Sequence, residues 1–339
     1  MSRVLILHTG GTIGMTKTDK GYRPDGAYFR RAVSEMDSLK APEMPEWDLL
    51  ETDPLLDSSR MKAEEWNRIG NVIAENYESY DGFVILHGTD TMAYTASALS
   101  FMLKNLNKPV ILTGSQIPLC EVRSDGRDNL ITSMMIAGAG KVREVCIYFG
   151  GLLLRGNRAT KDSADGMQAF RSPNCPPLAT AGIAIQYQEV SYPSVRSGRF
   201  ECIPFSNVPI GVIKVFPGIR FDLFEPIITS QLKGVVVEAF GSGNVPDEGE
   251  VLLPILEKAK SSGTVIVVCS QCPQSTVNMS AYEAGSILKK AGAVSGMDMT
   301  TEAAVAKLYY LFSIYDDPEQ IKFNMERNIR GELTRSEDI

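Results

Sequence analysis

The chain reads as an α/β protein: a doubly wound, mostly parallel, Rossmann-like sheet, followed by a second, smaller α/β domain. Three observations carry that reading. Short apolar runs alternate with stretches of helical periodicity, the pattern of repeated βα units with right-handed crossovers. At 339 residues the chain exceeds one ordinary core and suffices for two. Two of the apolar runs end in glycine-flanked threonines, Thr9-Gly10-Gly11-Thr12-Ile13-Gly14 and His87-Gly88-Thr89-Asp90-Thr91. Open parallel sheets bind ligands just past the carboxyl ends of their strands.

The elements follow in order. Val4–Leu7 is the first strand. After the segment Asp53–Met61, Trp66, Ile69, Ile73 and Tyr77 recur at spacings of three and four and make one helical face. Phe83–Leu86 is a buried strand, and Asp90 or Thr91 caps the next helix, with Met92, Ala96, Leu99 and Leu103 inward. Pro109–Leu112 and Val145–Phe149 are strands on either side of a helix near Asn129–Ala137. The apolar run Gly151–Leu154 leads into a polar turn, Arg155–Asp162.

Residues 1–191 make the large domain. Tyr192–Pro209, punctuated by Pro193, Gly198, Pro204 and Pro209, reads as a linker over 192–209, and residues 210–339 form the smaller domain. Its expected strands are Gly211–Phe216, Gly234–Ala239 and Thr264–Cys269, with helices near Glu250–Lys260 and Thr301–Phe312. Asp317-Pro318-Glu319-Gln320 combines an N-cap, a first-turn proline and a capping-box glutamine, and Gly331 is a C-cap candidate.

Net charge is −7 and the 34 Lys and Arg residues are scattered, so no basic face for nucleic acid or anionic lipid stands out. Nothing approaches the ~18 apolar residues of a membrane span, and the run at Val4 is too short for a signal peptide, so a cytoplasmic protein is expected. The six cysteines are expected to be reduced. Cys269-Ser-Gln-Cys272 ends the apolar run Val265–Val268; with His8 and His87 the only histidines, it is read as two small residues rather than a redox pair or zinc site. No metal is expected.

Threonine adds a hydroxyl that becomes a nucleophile once a base or an ammonium activates it. His8 and His87 lie close to their threonines but read as packing residues at strand ends. No G-x-S-x-G elbow occurs, which argues against an α/β-hydrolase serine enzyme. A lysine suits better, because partial burial can lower its pKa towards neutrality. Lys161, in the polar turn after Leu154, is the candidate, although a lysine in such a turn is ordinarily just solvated.

These segments, together with Asp81–Leu103, Thr113-Gly-Ser-Gln-Ile-Pro, Arg123-Ser-Asp-Gly, Arg155-Gly-Asn-Arg and Asp298-Met-Thr, resemble the bacterial cytoplasmic (type I) L-asparaginases over essentially the whole chain. The resemblance implies hydrolysis of L-asparagine to aspartate and ammonia through an acyl-threonine, with no cofactor. It makes Thr12 the nucleophile and Tyr22, in the lid Gly14–Gly26, its activator. Thr89 activates water or the nucleophile, Lys161 tunes that hydroxyl, and Asp90 binds the substrate's α-ammonium. Asp57, Ser58 and Ser59 match the segment that holds the α-carboxylate and α-ammonium. Ser59 also reads as a helix N-cap. The amides of Gly88 and Thr89 are oxyanion donors. Asparagine and glutamine differ by one methylene, worth only ~1–3 kcal/mol of discrimination, so minor glutaminase activity goes with this site.

The resemblance also implies a homodimer or homotetramer. In some relatives a second asparagine activates the enzyme from a site matching Glu238, Ser270, Gln271 and Cys272, with Thr160 and Asn244 nearby. There the family places an arginine where this chain has Glu238. An anion in place of a bidentate cation repels a carboxylate, so weak or absent activation is expected. Rival readings are the amidase subunit of a tRNA-dependent amidotransferase, which carries an extension ahead of the core, and a non-catalytic amino-acid sensor. A dinucleotide-binding oxidoreductase is disfavoured, because Gly10-Gly11-Thr12-Ile13-Gly14 is not G-x-G-x-x-G.

Overall fold

Strands that are buried on both faces have no reason to alternate polar and apolar residues, and the runs at Val4, Phe83, Val110 and Val145 are of that kind. They form the centre of an eight-stranded sheet in the computed structural model, which describes residues 1–188, 198–246, 251–279 and 283–334. From edge to edge the order is Ile185–Tyr187, Ala179–Ala181, Leu152–Arg155, Val145–Phe149, Val110–Thr113, Gly82–Leu86, Arg3–Gly10 and Glu46–Leu56. The last five are mutually parallel and the first three are added antiparallel. The chain divides into two compact units, Met1–Cys202 and Ile203–Ile339. Of the expected linker, 192–197 lies outside the described residues, as does Glu250.

Helices Ala63–Asn76, Met92–Met102 and Gly126–Ala139 accompany the parallel strands. Trp66, Ile69 and Ile73 are buried as their spacing requires, with Tyr77 at the C-cap. Met92–Met102 is buried from Thr95 to Met102, so no amphipathic stripe marks it. One local expectation changes. Thr91 is the N-cap residue but makes no capping bond; its hydroxyl donates to Ser58 O at 2.8 Å. Past Val145–Phe149, Gly150 (φ +55°) and Gly151 (φ +87°) turn the chain back, and Leu152–Arg155 pairs antiparallel with Val145–Phe149.

The second unit holds a parallel four-stranded sheet, Ile210–Lys214, Gly234–Ala239, Val265–Ser270 and Val294–Ser295, with helices Leu252–Ser261, Glu283–Lys290, Thr301–Ile314 and Pro318–Met325. Val235, Val237, Ile255, Leu256, Ile266 and Val268 make its core. Asp317 caps the last helix by accepting from Glu319 N at 3.0 Å. That helix ends at Met325, so Gly331 (φ +81°) is not its C-cap; it donates to Asn328 Oδ1 in a later turn. A fully enclosed ion pair, Lys307 Nζ to Glu332 Oε1 at 2.6 Å, fastens that turn, with Lys307 also donating to Met325 O and Glu332 accepting from Ile329 N.

Candidate active site

The parallel register sets His8 opposite Leu86 and Gly10 opposite Leu56, so three strand ends lie side by side. Hydroxyls pin them: Thr9 Oγ1 donates to Leu86 O at 2.8 Å and Thr52 Oγ1 to Thr9 O at 3.3 Å. The turns beyond are in backbone contact. A Cβ on Gly11 (φ +89°) would lie 2.5 Å from Gly88 N, and one on Gly88 would lie 2.7 Å from Ser58 Cβ. Glycine is required at 11 and 88 because the three turns carrying Thr12, Ser58 and Thr89 interlock.

Thr12 opens the 3-10 turn Thr12–Gly14, and its hydroxyl has no hydrogen-bond partner among the described residues. Lys161 is not in a solvated turn. It forms a two-residue ladder with Phe170, and its Nζ donates to Thr89 Oγ1 at 2.8 Å and to Asp90 Oδ1 at 2.7 Å. Thr89 is 7% exposed, and the amides of Gly88 and Thr89 donate to no described acceptor. Asp57 caps the 3-10 helix Ser58–Arg60 by accepting from Ser59 N at 3.0 Å. Ser59 is therefore inside that turn and is not an N-cap, and the following helix begins at Ala63 with no side-chain cap. Ser58 is buried against Gly88.

No hydrogen bond joins Tyr22 to Thr12. The segment Gly14–Gly26 is a hairpin, Met15–Thr18 against Gly21–Pro24, and the Tyr22 hydroxyl donates to Glu121 Oε1 at 2.7 Å. That bond is the main reason the Tyr22 phenol is held above its ordinary pKa.

Both histidines are structural. Burial pushes His87 down to about 4. Its neutral ring donates from Nδ1 to Gly88 O at 2.7 Å, so Nε2 accepts from Thr95 Oγ1 at 2.9 Å. Thr95 in turn accepts from Trp66 Nε1 at 3.0 Å. This chain of directed bonds holds the Gly88 carbonyl. His8, also lowered by burial, packs on Phe29 and meets Glu51 Oε1 at 3.1 Å. The pair lies under both ends of the hairpin: a Cβ on Gly14 would lie 2.5 Å from His8 Nε2, and one on Gly26 would lie 2.9 Å from Glu51 Oε1. Burial pulls the Glu51 carboxyl up, but bonds from Arg30 and His8 hold it below its ordinary value.

Sequence reasoning missed Gln116 and Asp125 as functional positions. Gln116 donates to Gly166 O at 3.1 Å and faces Thr89 Oγ1 at 3.5 Å. Asp125 accepts from Gln116 N and Ile117 N and fixes that turn. The motifs Thr113-Gly-Ser-Gln and Arg123-Ser-Asp-Gly contain both residues, but no spacing rule relates them to Thr89.

In the second unit, Glu238 and Ser270 lie in the last residues of neighbouring strands, and Gln271, Cys272 and Asn244 lie just beyond them. Thr301 Oγ1 donates to Glu238 Oε1 at 2.6 Å and Lys214 Nζ lies 3.8 Å from Oε2. Gln271 Nε2 donates to Glu238 O at 2.7 Å, Ser270 Oγ to Gly241 O at 2.5 Å, and Cys272 N to Ser270 Oγ at 3.0 Å; Asn244 pairs with Phe240. Thr160 belongs to the first unit, beside Lys161. Cys269 is buried, its thiol pushed up to about 12 by burial, and Cys269 and Cys272 are both free. No group of three or more potential metal ligands occurs among the described residues.

The fold and its crest of glycine-threonine turns define the class: a two-unit α/β enzyme with paired threonine turns at the carboxyl edge of its sheet. Residues 3–192 match the family model of the asparaginase N-terminal domain, and residues 209–325 that of the glutaminase/asparaginase C-terminal domain. The chain belongs to the asparaginase family. It is 46% identical to L-asparaginase 1 of Escherichia coli strain K12 over 333 residues, 98% of each chain. L-asparaginase I of Vibrio cholerae has 45% identity and a TM-score of 0.91, over 98% of this chain and 99% of that one. The thermostable L-asparaginase from Thermococcus kodakarensis has 32% identity and a TM-score of 0.89, over 98% and 100%.

Proposed function

We propose that the protein hydrolyses L-asparagine to L-aspartate and ammonia through an acyl-Thr12 intermediate, with slower hydrolysis of glutamine. The observation that carries this reading is the interlock of Gly11, Ser58 and Gly88 beside the 2.8 Å contact of Lys161 with Thr89. Thr12 Oγ attacks the carboxamide carbon and Tyr22 assists. The amides of Gly88 and Thr89 stabilise the oxyanion; as it collapses the C–N bond breaks, and the proton given up by Thr12 passes to the departing nitrogen, which leaves as ammonia. Thr89, its oxygen held by Lys161, then directs water onto the acyl carbon; the bond to Thr12 Oγ breaks, a water proton restores the Thr12 hydroxyl, and aspartate leaves.

Substrate recognition needs one anion site and one cation site. Ser58 and the Asp57–Ser59 turn suit the α-carboxylate. Asp90 suits the α-ammonium: Oδ1 is bound to Lys161, and Oδ2 has no described partner.

No metal or organic cofactor takes part in this scheme. We also propose a cytoplasmic homodimer or homotetramer. No helix among the described residues is long and apolar enough to cross a membrane.

The test is ammonia release with asparagine, glutamine and buffer alone, on wild type and Thr12→Ala. Ammonia from asparagine is expected from wild type only, with kcat lowered by at least about a thousandfold in the variant. No ammonia from wild type would overturn the reading.

A further inference from the structure

The hairpin Met15–Thr18/Gly21–Pro24 is closed at its base by Asp25 N to Gly14 O at 2.9 Å, and Thr16 Oγ1 reaches Asp25 Oδ2 at 3.3 Å. Tyr22 stands 46% exposed on its second strand and bonds Glu121. Glu121 belongs to a turn stitched to the segment just after Thr12: Leu119 N donates to Ile13 O at 3.2 Å and Cys120 Sγ to Met15 O at 3.4 Å. Within that turn Glu121 N donates to Pro118 O and Ser124 N to Glu121 O. The Glu121 carboxylate has no cationic partner among the described residues, and its one hydrogen bond is the one from Tyr22. A carboxylate only accepts, so the phenolic proton is committed to it. Thr12 Oγ1, meanwhile, accepts no such bond.

We propose that Glu121 is a positioning residue that holds Tyr22 parked away from Thr12, so that the Tyr22–Glu121 bond must break before the hairpin completes the site. This rests on the reading of Thr12 and Tyr22 as partners in asparagine hydrolysis. A site whose competent form is fractionally populated shows an affinity reduced by that fraction. Removing the latch therefore acts on KM before it acts on the chemical step.

The experiment compares wild type, Glu121→Ala, Tyr22→Phe and the double variant by steady-state kinetics on asparagine. Amide hydrogen exchange across residues 15–24 is measured on the same four proteins. Glu121→Ala is expected to lower KM about two- to tenfold with kcat nearly unchanged. It is also expected to speed exchange in the hairpin. In the Tyr22→Phe background, where the bond is already gone, Glu121→Ala is expected to change neither readout further. Three results overturn the proposal: a fall in kcat of tenfold or more, which makes Glu121 part of the chemistry; equal effects in both backgrounds, which make its role structural; or no change in KM and exchange. If wild type released no ammonia from asparagine, the functional reading would fail by itself, while the exchange data would still report whether Glu121 restrains the hairpin.

Discussion

Lys161 Nζ donates to the Thr89 hydroxyl at 2.8 Å and to Asp90 Oδ1 at 2.7 Å, joining residues some seventy positions apart in the chain. The ammonium is enclosed enough for its partners to matter, with the side chain 20% exposed. Lys161→Met should lower kcat by about a thousandfold. Ser58 and Asp90 remain, so calorimetric titration with asparagine should still show binding. Turnover near the wild-type rate would sink the role given to Lys161.

Gly11 offers a second test. A Cβ there would press on Gly88 N at 2.5 Å, in a backbone conformation at φ +89° that disfavours a side chain. Gly11→Ala should destabilise the first unit by about 1–3 kcal/mol. It should also cost about a hundredfold in kcat, since it displaces both threonine turns. Urea unfolding and the ammonia assay read the two effects; an alanine variant of normal activity would refute the interlock.

His87 makes a prediction about acid. Its native pKa of about 4 lies below the usual value near 6.5, so the unfolded chain binds a proton that the native chain refuses. Stability is full above about pH 6.5 and falls as pH drops towards 4, by about 3 kcal/mol for this group. Both tryptophans of the chain, Trp47 and Trp66, lie in the first unit, so their fluorescence follows its unfolding. Urea midpoints compared at pH 7.5 and 4.5 should shift less in His87→Gln than in wild type. An equal shift would mean that His87 does not carry the effect.

Glu238 bears on regulation. Its carboxylate is bonded by Thr301 and lies near Lys214, which leaves an anion at the strand end. The initial rate against asparagine concentration should be hyperbolic, with a Hill coefficient of about one. Clear sigmoidicity would show that an effector carboxylate finds another partner.

Much of the fold was legible because buried parallel strands leave continuous apolar runs, and Val145–Phe149 falls where its run places it. The edge strand Glu46–Leu56 was not, since Asp48, Glu51 and Asp53 interrupt any continuous apolar run along it. The direction of Gly151–Leu154 was not legible either: an apolar run states burial, whereas the reversal that makes it antiparallel lies in the φ angles of Gly150 and Gly151. At the site, residue types were readable and pairings were not. Nothing local to Lys161 announces Thr89, and nothing local to Tyr22 announces Glu121, because each pair closes only through the tertiary fold.

The seating of the hairpin on His8 and Glu51 has a mechanical consequence. Gly14 and Gly26 rest on one enclosed pair whose members sit in adjacent parallel strands in register, His8 opposite Glu51. Those two supports define an axle fixed to the sheet. Any swing of the segment is then rotation about that axle: the tip near Thr18 and Gly21 sweeps the widest arc, and Tyr22, nearer the Gly26 end, sweeps a shorter one. The stroke of the phenol is set by the span from Tyr22 to Gly26, so adding or removing a residue pair at the tip should leave it intact, whereas an insertion between Tyr22 and Gly26 should put it out of reach of its target.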